Sequence, residues 1–381
     1  MERADAQLGG AERSILELSR ELRRQSVEAT ILAASGDTSH PEVRILGTGE
    51  QRQRVSLAAF ARRAGEYLDA RPVDIVHSTL PLALADIYQP RGGSYREAMV
   101  RNAASYGRAD QRFFKKTFHF LNFRRTEKLW AEQRLLARDS KTIVAPLSHY
   151  VERHFLRYYA VPKNRVVTVP NGVQLRSTSD SLAGKRFRGE LLRSTGHGST
   201  RPAALFLFAA HNFRLKGLEE CIRAFAQAAT GPGGALVLAV AGKGRRPERY
   251  RRLASRLGVG ERVVFTGPVA DLKPALEACD AAVLPTYYDP SSRFVLEALA
   301  MKKPVITTRF NGAAEMMRSG RHGMVVREPS DTAALAEAMR MYANPDRRQQ
   351  ARKAIEKDRL DEQISIARHV RQLISLYAAV G

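Results

Sequence analysis

From Ala204 onward the chain repeats one pattern: a short apolar run, a turn, and a stretch with an apolar face at helical spacing. The runs are Ala204–Ala209, Ala235–Ala241, Val263–Thr266, Ala281–Pro285, Pro304–Thr308 and Gly323–Val326, with helices expected at Gly217–Ala229, Pro247–Leu257, Asp271–Ala278, Ser291–Met301 and Thr332–Tyr342. Strands that alternate with helices form a parallel sheet, buried on both faces. A less regular version precedes it, with strands expected at Val27–Ala34, Val73–His77, Thr142–Pro146 and Val166–Pro170 and helices at Arg54–Ala70 and Tyr150–Tyr158. Between them, 176–202 is rich in Ser, Thr, Gly and Arg and reads as a linker. The fold class is therefore α/β, with two Rossmann-like domains facing a cleft. The expected divisions are 1–175, the linker 176–202, a second domain 203–360, and a helix in 361–381 that packs back on the first domain. Ligands of such sheets bind at the carboxyl ends of the strands.

Candidate chemistry collects at those ends. Asp289 and Pro290 stand where a loop enters a helix, and Glu297 lies two turns on. The N-terminus of a helix favours an anion, and two acids beside it suit sugar hydroxyls. Each acid has a plainer reading of equal weight: Asp289 as a helix cap, Glu297 as the ion-pair partner of Arg293. Arg214 and Lys216, in His211–Gly217, follow the first strand of the second domain and suit a diphosphate clamp. Gly242, in Gly242-Lys243-Gly244, matches only part of a dinucleotide fingerprint. Gly9 and Gly10 precede a helix and could admit a phosphate, or serve only as a helix entry. No Asp-x-Asp, His-x-x-x-His, paired-Cys, Walker or Gly-x-Ser-x-Gly pattern occurs, so no metal site and no cofactor is expected.

Charge adds a second constraint. Lys and Arg number 62 against 39 Asp and Glu, a formal charge of +23, which implies an anionic partner. Residues 96–128 hold nine Lys or Arg, three acids and five Phe. Such a stretch suits an anionic membrane interface, a nucleic acid, or a helical insertion whose phenylalanines join the core. No apolar run approaches a membrane span and no signal-peptide pattern opens the chain.

The chain resembles the retaining glycosyltransferases of family 4, which have the GT-B fold. The resemblance rests on Gly9-Gly10-Ala11-Glu12-Arg13, Val169-Pro170-Asn171-Gly172-Val173, Arg214-x-Lys216-Gly217, Val263-Val264-Phe265-Thr266-Gly267 and the Asp289-x7-Glu297 motif. Within the family it is most similar to the lipopolysaccharide core glucosyltransferase I group. That likeness implies metal-independent transfer of a hexose from a UDP-linked sugar to an envelope glycolipid such as the lipopolysaccharide core, at the cytoplasmic face of the inner membrane. It implies Arg214 and Lys216 on the donor diphosphate, Glu297 on the ribose and Asp289 near the sugar. Gly9, Gly10, Gly242, Phe294 and Val295 would contact the donor, and His77 and Asp86 the sugar or acceptor. Two departures stand out. Asp289 replaces the usual Glu, and the polar Met1–Gln7 stands where the family has an apolar first strand. That strand reads as missing, with the natural start upstream. Two other functions stay open: a polyanion-binding protein, for which no recognition helix or aromatic platform is evident, and a GT-B nucleotide-sugar epimerase.

Overall fold

The computed structural model describes residues 1–4, 10–36, 40–47, 55–107, 110, 123–174, 181–195, 204–230 and 235–381. These form two compact units. Unit 1 comprises Met1–Ala103, Arg108–Gln174 and Ser365–Gly381; unit 2 comprises Ala104–Gly107 and Leu175–Ile364. Gly9 and most of the basic, aromatic part of 96–128 lie outside the described residues.

Unit 1 holds short parallel strands: β1 (Arg3–Ala4), β2 (Ile31–Ala33), β3 (Ser35–Gly36), β4 (Val43–Ile45), β5 (His77–Ser78), β6 (Ile87–Tyr88) and β7 (Ile143–Val144). They pair as β1–β3, β2–β4 and β5–β6–β7. Its helices include α1 (Gly10–Arg24), α2 (Leu57–Ala70), α3 (Tyr95–Ala104), α4 (Phe123–Leu135) and α5 (His149–Tyr159). The polar opening of the chain forms β1, which pairs with β3 in a two-stranded sheet. Arg3 and Ala4 pair with Ser35 and Gly36. The Met1 amino group donates to the Leu32 carbonyl at 2.6 Å, and burial lowers its pKa to about 5. A strand needs backbone pairing more than apolar side chains when only Ala4 must be buried.

Unit 2 is regular. Helix α6 (Ser181–Ser194) comes first, inside the stretch expected as a linker, and packs on the helix Lys273–Ala278 of this unit. Then follow β8 (Ala204–Ala209), α7 (Leu218–Ala229), β9 (Leu236–Ala241), α8 (Pro247–Arg256), β10 (Val263–Gly267), α9 (Lys273–Ala278), β11 (Ala281–Leu284), α10 (Arg293–Ala300), β12 (Val305–Thr308), β13 (Gly323–Val326), α11 (Thr332–Ala343), α12 (Pro345–Lys357) and α13 (Leu360–Gln363). The strands form one parallel sheet in the order β10-β9-β8-β11-β12-β13. β8, β9, β11 and β12 are almost wholly buried, as continuous apolar runs require.

The expected final helix is two helices. Ile364 and Ser365 separate α13 from α14 (Ile366–Val380), because the Ser365 hydroxyl accepts the Arg368 N–H and starts a new helix. α14 belongs to unit 1, where Ile366, Val370, Leu373 and Leu376 pack with Leu18, Leu22, Ile87, Ala145 and Val169. Among the described residues no helix is long and apolar enough to cross a membrane.

Candidate active site

The strand order of unit 2 reverses direction between β8 and β11, which are neighbours in the sheet. At such a switch point the turns leaving adjacent strands diverge and leave room for a ligand. Arg214 and Lys216 stand on the turn that follows β8, Asp289 on the turn that follows β11, and Phe294, Val295 and Glu297 on α10 just beyond it.

The turn after β8 is closed by its own polar groups. Asn212 Oδ1 accepts the Leu215 N–H at 3.2 Å, and the Asn212 carbonyl accepts the Lys216 N–H at 3.0 Å. Phe213 anchors it, edge-on to Phe208, Tyr250 and Phe265 with centroids 5.7–6.5 Å apart. Gly217 ends the turn with φ +77°, and a Cβ there would stand 2.1 Å from the Pro285 carbonyl oxygen. Only glycine fits both the backbone and the space. Arg214 and Lys216 are thereby fixed between two anchors.

Lys216 reaches the turn after β11. Its Nζ donates to Asp289 Oδ2 at 2.7 Å and to the Tyr288 carbonyl at 2.9 Å. The Leu215 carbonyl accepts the Tyr287 N–H at 2.9 Å. Asp289 in turn binds the segment after β12: its N–H donates to the Phe310 carbonyl, and its carbonyl accepts the Gly312 N–H, both at 2.9 Å. Its other carboxylate oxygen accepts the Ser291 N–H at 3.2 Å. Lys216 and Asp289 thus form a partly buried ion pair, with side chains 20% and 14% exposed. Three turns are sewn together at one point.

Asp289 is not the cap of the next helix, and Pro290 is not its first residue. The N-cap is Ser292, whose hydroxyl accepts the Val295 N–H. Asn311 Oδ1 accepts the N–H groups of Ser292 at 3.2 Å and Ala313 at 3.1 Å, and so sets the entry to α10 from the neighbouring turn. Phe294 and Val295 follow in the first turn and are buried, and the Val295 N–H is taken by the Ser292 cap. Glu297 accepts from Arg293 at 3.1 Å, the local ion pair its spacing allows.

Gly242 has φ +124°, and a Cβ there would lie 1.9 Å from the Ala210 carbonyl oxygen. A Cβ on Gly244 would lie 2.0 Å from the Phe213 ring. Close packing of the β8 and β9 turns accounts for both glycines.

Arg214 is held from a distant part of the chain. Its guanidinium lies over the Tyr106 ring, 3.7 Å from guanidinium carbon to centroid, and Nη1 donates to the Ser105 hydroxyl. Ser105 and Tyr106 cluster with unit 2. Nothing local in the sequence marks them. Asn311 and Ser292 were also unassigned by sequence, although both lie in stretches that read as turns.

Unit 1 places its candidates differently. Gly10 is the exposed first residue of α1. His77 opens β5, with Nδ1 2.7 Å from the Tyr377 hydroxyl of α14. Burial and the nearby Arg91 lower its pKa to about 3. Its Nε2 is buried with no hydrogen-bond partner among the described residues. Asp86 Oδ2 accepts the Val76 N–H at 2.7 Å, a tie between β6 and the entry to β5. Among the described residues no three His, Cys, Asp or Glu side chains converge as a metal site.

Two family models match the chain in order: Glycosyltransferase Family 4 over residues 8–177 and Glycosyl transferases group 1 over residues 202–345. The lipopolysaccharide core biosynthesis glycosyltransferase LpsE of Rhizobium meliloti is 34% identical over 124 residues, which is 32% of this chain and 35% of that protein. The lipopolysaccharide glucosyltransferase WaaG of Escherichia coli is 27% identical over 187 residues, 49% of each chain. The matched region thus spans less than half the length of these relatives. Among solved structures, WaaG, described as a glycosyltransferase involved in lipopolysaccharide biosynthesis, superposes with a TM-score of 0.77 at 19% identity, covering 99% of this chain and 98% of that one. Anabaena HepE in complex with UDP-glucose gives a TM-score of 0.73 at 15% identity over 100% of both chains. At these identities the structural likeness is one of fold.

Proposed function

Because the chain belongs to the family 4 glycosyltransferases of GT-B fold, we propose that it transfers a hexose from a UDP-linked sugar to an envelope glycolipid such as the lipopolysaccharide core, with retention of anomeric configuration and without a metal. The observation that carries this reading is the Lys216–Asp289 pair at the switch point of the unit 2 sheet. It sets a cation where a diphosphate would meet the strand ends and braces it with a carboxylate.

In the proposed reaction the bond from the anomeric carbon to the diphosphate oxygen breaks. A bond from an acceptor hydroxyl oxygen to the same face of that carbon forms. The acceptor proton passes to the departing diphosphate, so no protein nucleophile is needed. Arg214 and Lys216 hold the diphosphate and offset its growing charge, an electrostatic contribution of the oxyanion-hole kind. Glu297 takes the ribose hydroxyls and Asp289 the sugar hydroxyls. The backbone at Phe294 and Val295 meets the donor. Gly242, Gly9 and Gly10 leave room for it, and His77 and Asp86 serve the sugar or acceptor.

The relatives' names supply the donor and acceptor classes: WaaG is a lipopolysaccharide glucosyltransferase, and HepE was solved with UDP-glucose. An anionic inner-membrane surface is the proposed docking site for 96–128, which places the protein at the cytoplasmic face. The neighbouring Trp130, 64% exposed on α4, and Val100, 47% exposed on α3, support this. The test incubates the full chain with UDP-glucose and deacylated or intact lipid acceptor. UDP should appear only when acceptor is present, at a rate unchanged by EDTA, with an α-linked product. UDP release independent of acceptor would sink the transferase reading. Co-sedimentation with anionic but not neutral vesicles tests the membrane contact.

A further inference from the structure

We infer that Tyr106 is a positioning residue for Arg214, a part of the donor site carried on a segment more than a hundred residues away in the sequence. The inference rests on the role proposed above for Arg214.

The stack is tight. Other cation–ring pairs among the described residues place the guanidinium carbon 4.6–5.8 Å from the centroid, against 3.7 Å here. At that separation the guanidinium and the ring are in van der Waals contact. The segment is also unusual in its place. Residues up to Ala103 cluster with unit 1, whereas Ala104–Gly107 cluster with unit 2. The chain leaves α3 at Ala104, and the next two residues both meet Arg214. Ser105 is buried, 5% exposed, and accepts one N–H.

The chemistry suits a clamp. A ring against the face of a guanidinium consumes none of its five N–H groups, because those point outward in the plane. Phosphate oxygens are bound through that edge. Tyr106 therefore holds Arg214 without itself taking up any of its N–H groups, one of which goes to Ser105. A long side chain already held in one rotamer loses less freedom on binding. Leu215 and Lys216 are set by the turn itself, and Ser105 and Tyr106 hold the Arg214 side chain.

The test uses the full chain and calorimetric titration of UDP, ADP and GDP, with the tightest carried forward. Tyr106→Leu should weaken binding about tenfold, within the range of a cation–π contact. Tyr106→Phe, which keeps the ring, should restore it to within about twofold. Tyr106→Leu in an Arg214→Ala background should weaken it no further. In turnover the donor KM should rise in Tyr106→Leu while the acceptor KM stays. Melting temperatures without ligand are read alongside; if Leu lowers them, Tyr106→Gln is judged by the same criteria. The inference is overturned if the Leu variant binds like wild type, if Phe is as weak as Leu, or if the double variant shows additive loss. Arg214→Ala binding as tightly as wild type removes the clamp itself. Failure of the wild type to bind any of the three nucleotides removes the donor-site reading as a whole.

Discussion

The sheet of unit 2 is built from strands of four to six residues, whereas the strands of unit 1 are two or three residues long. The two carry their polar side chains to different ends. In unit 2 the buried strands set the height of each turn through the backbone ladder, so side chains at the turns are not needed to hold the strands. Lys216 and Asp289 pair across turns, not within the sheet. In unit 1 the ladder is too short to do this alone, and carboxylates serve as fasteners. Asp86 ties the entry to β5. Glu132, fully buried on α4, accepts from the Tyr88 hydroxyl at 2.8 Å, the Tyr95 N–H at 3.0 Å and the Tyr159 hydroxyl. It thereby joins β6, α3 and α5. An acid at a strand end is thus evidence for catalysis only where the strands can stand without it.

The largest expected effect separates the two edges directly. Lys216→Ala should lower kcat by about 100- to 1000-fold, the loss typical of one charge-stabilising donor, measured as acceptor-dependent release of nucleotide. A loss under tenfold would remove the contrast. The second tests how rigid the unit 2 turn is. Gly217→Ala should cost more than about 2 kcal/mol in chemical denaturation, from its φ and its clash with Pro285. Gly258, with φ +72° but open space around it, should cost about 1 kcal/mol on the same change.

The third concerns pH. Burial raises the Glu132 pKa to about 7, against hydrogen bonds from Tyr159, Tyr88 and Tyr95 that lower it. The unfolded chain then binds fewer protons than the native one between about pH 4.5 and 7. Stability from this group is therefore full at the acid end and falls as pH rises through 7. His77 and His154 act oppositely. Burial lowers them to about 3 and about 4, so stability falls as pH drops below 6.5. The melting-temperature difference between wild type and Glu132→Gln should change between pH 5 and 7 and stay constant from pH 7 to 8. The smallest effect is Asp86→Ala, which leaves the Val76 N–H without its acceptor and should cost about 1 kcal/mol. A fall in turnover beyond what that loss of stability explains would come from its proposed place at the sugar or acceptor.

Legibility in the sequence followed the same divide. The unit 2 strands stand within a residue of their apolar runs, because buried parallel strands leave a continuous apolar trace. In unit 1, Val27–Ala34 shrinks to Ile31–Ala33, and Val73, read as the start of a strand, is 53% exposed. Helix α12 went unread because only Ala351 and Ile355 bury themselves among thirteen mostly polar residues. At the site, the spacing of Arg214, Lys216 and Asp289 was visible. The cap was not, since Asp289, Ser291 and Ser292 are all good capping residues within four positions and only geometry selects Ser292. Tyr106 could not be read at all, because no local pattern links it to residue 214.

The return of α14 to unit 1 also has a consequence for synthesis. Unit 2 is contiguous apart from four residues, but unit 1 lacks Ile366, Val370, Leu373 and Leu376 until the last part of the chain is made. On a ribosome, Leu18, Leu22, Ile87 and Ala145 wait uncovered while some two hundred residues are added, roughly 10–40 s. The half of the protein made first is finished last, and in that interval it is exposed to chaperones and proteases.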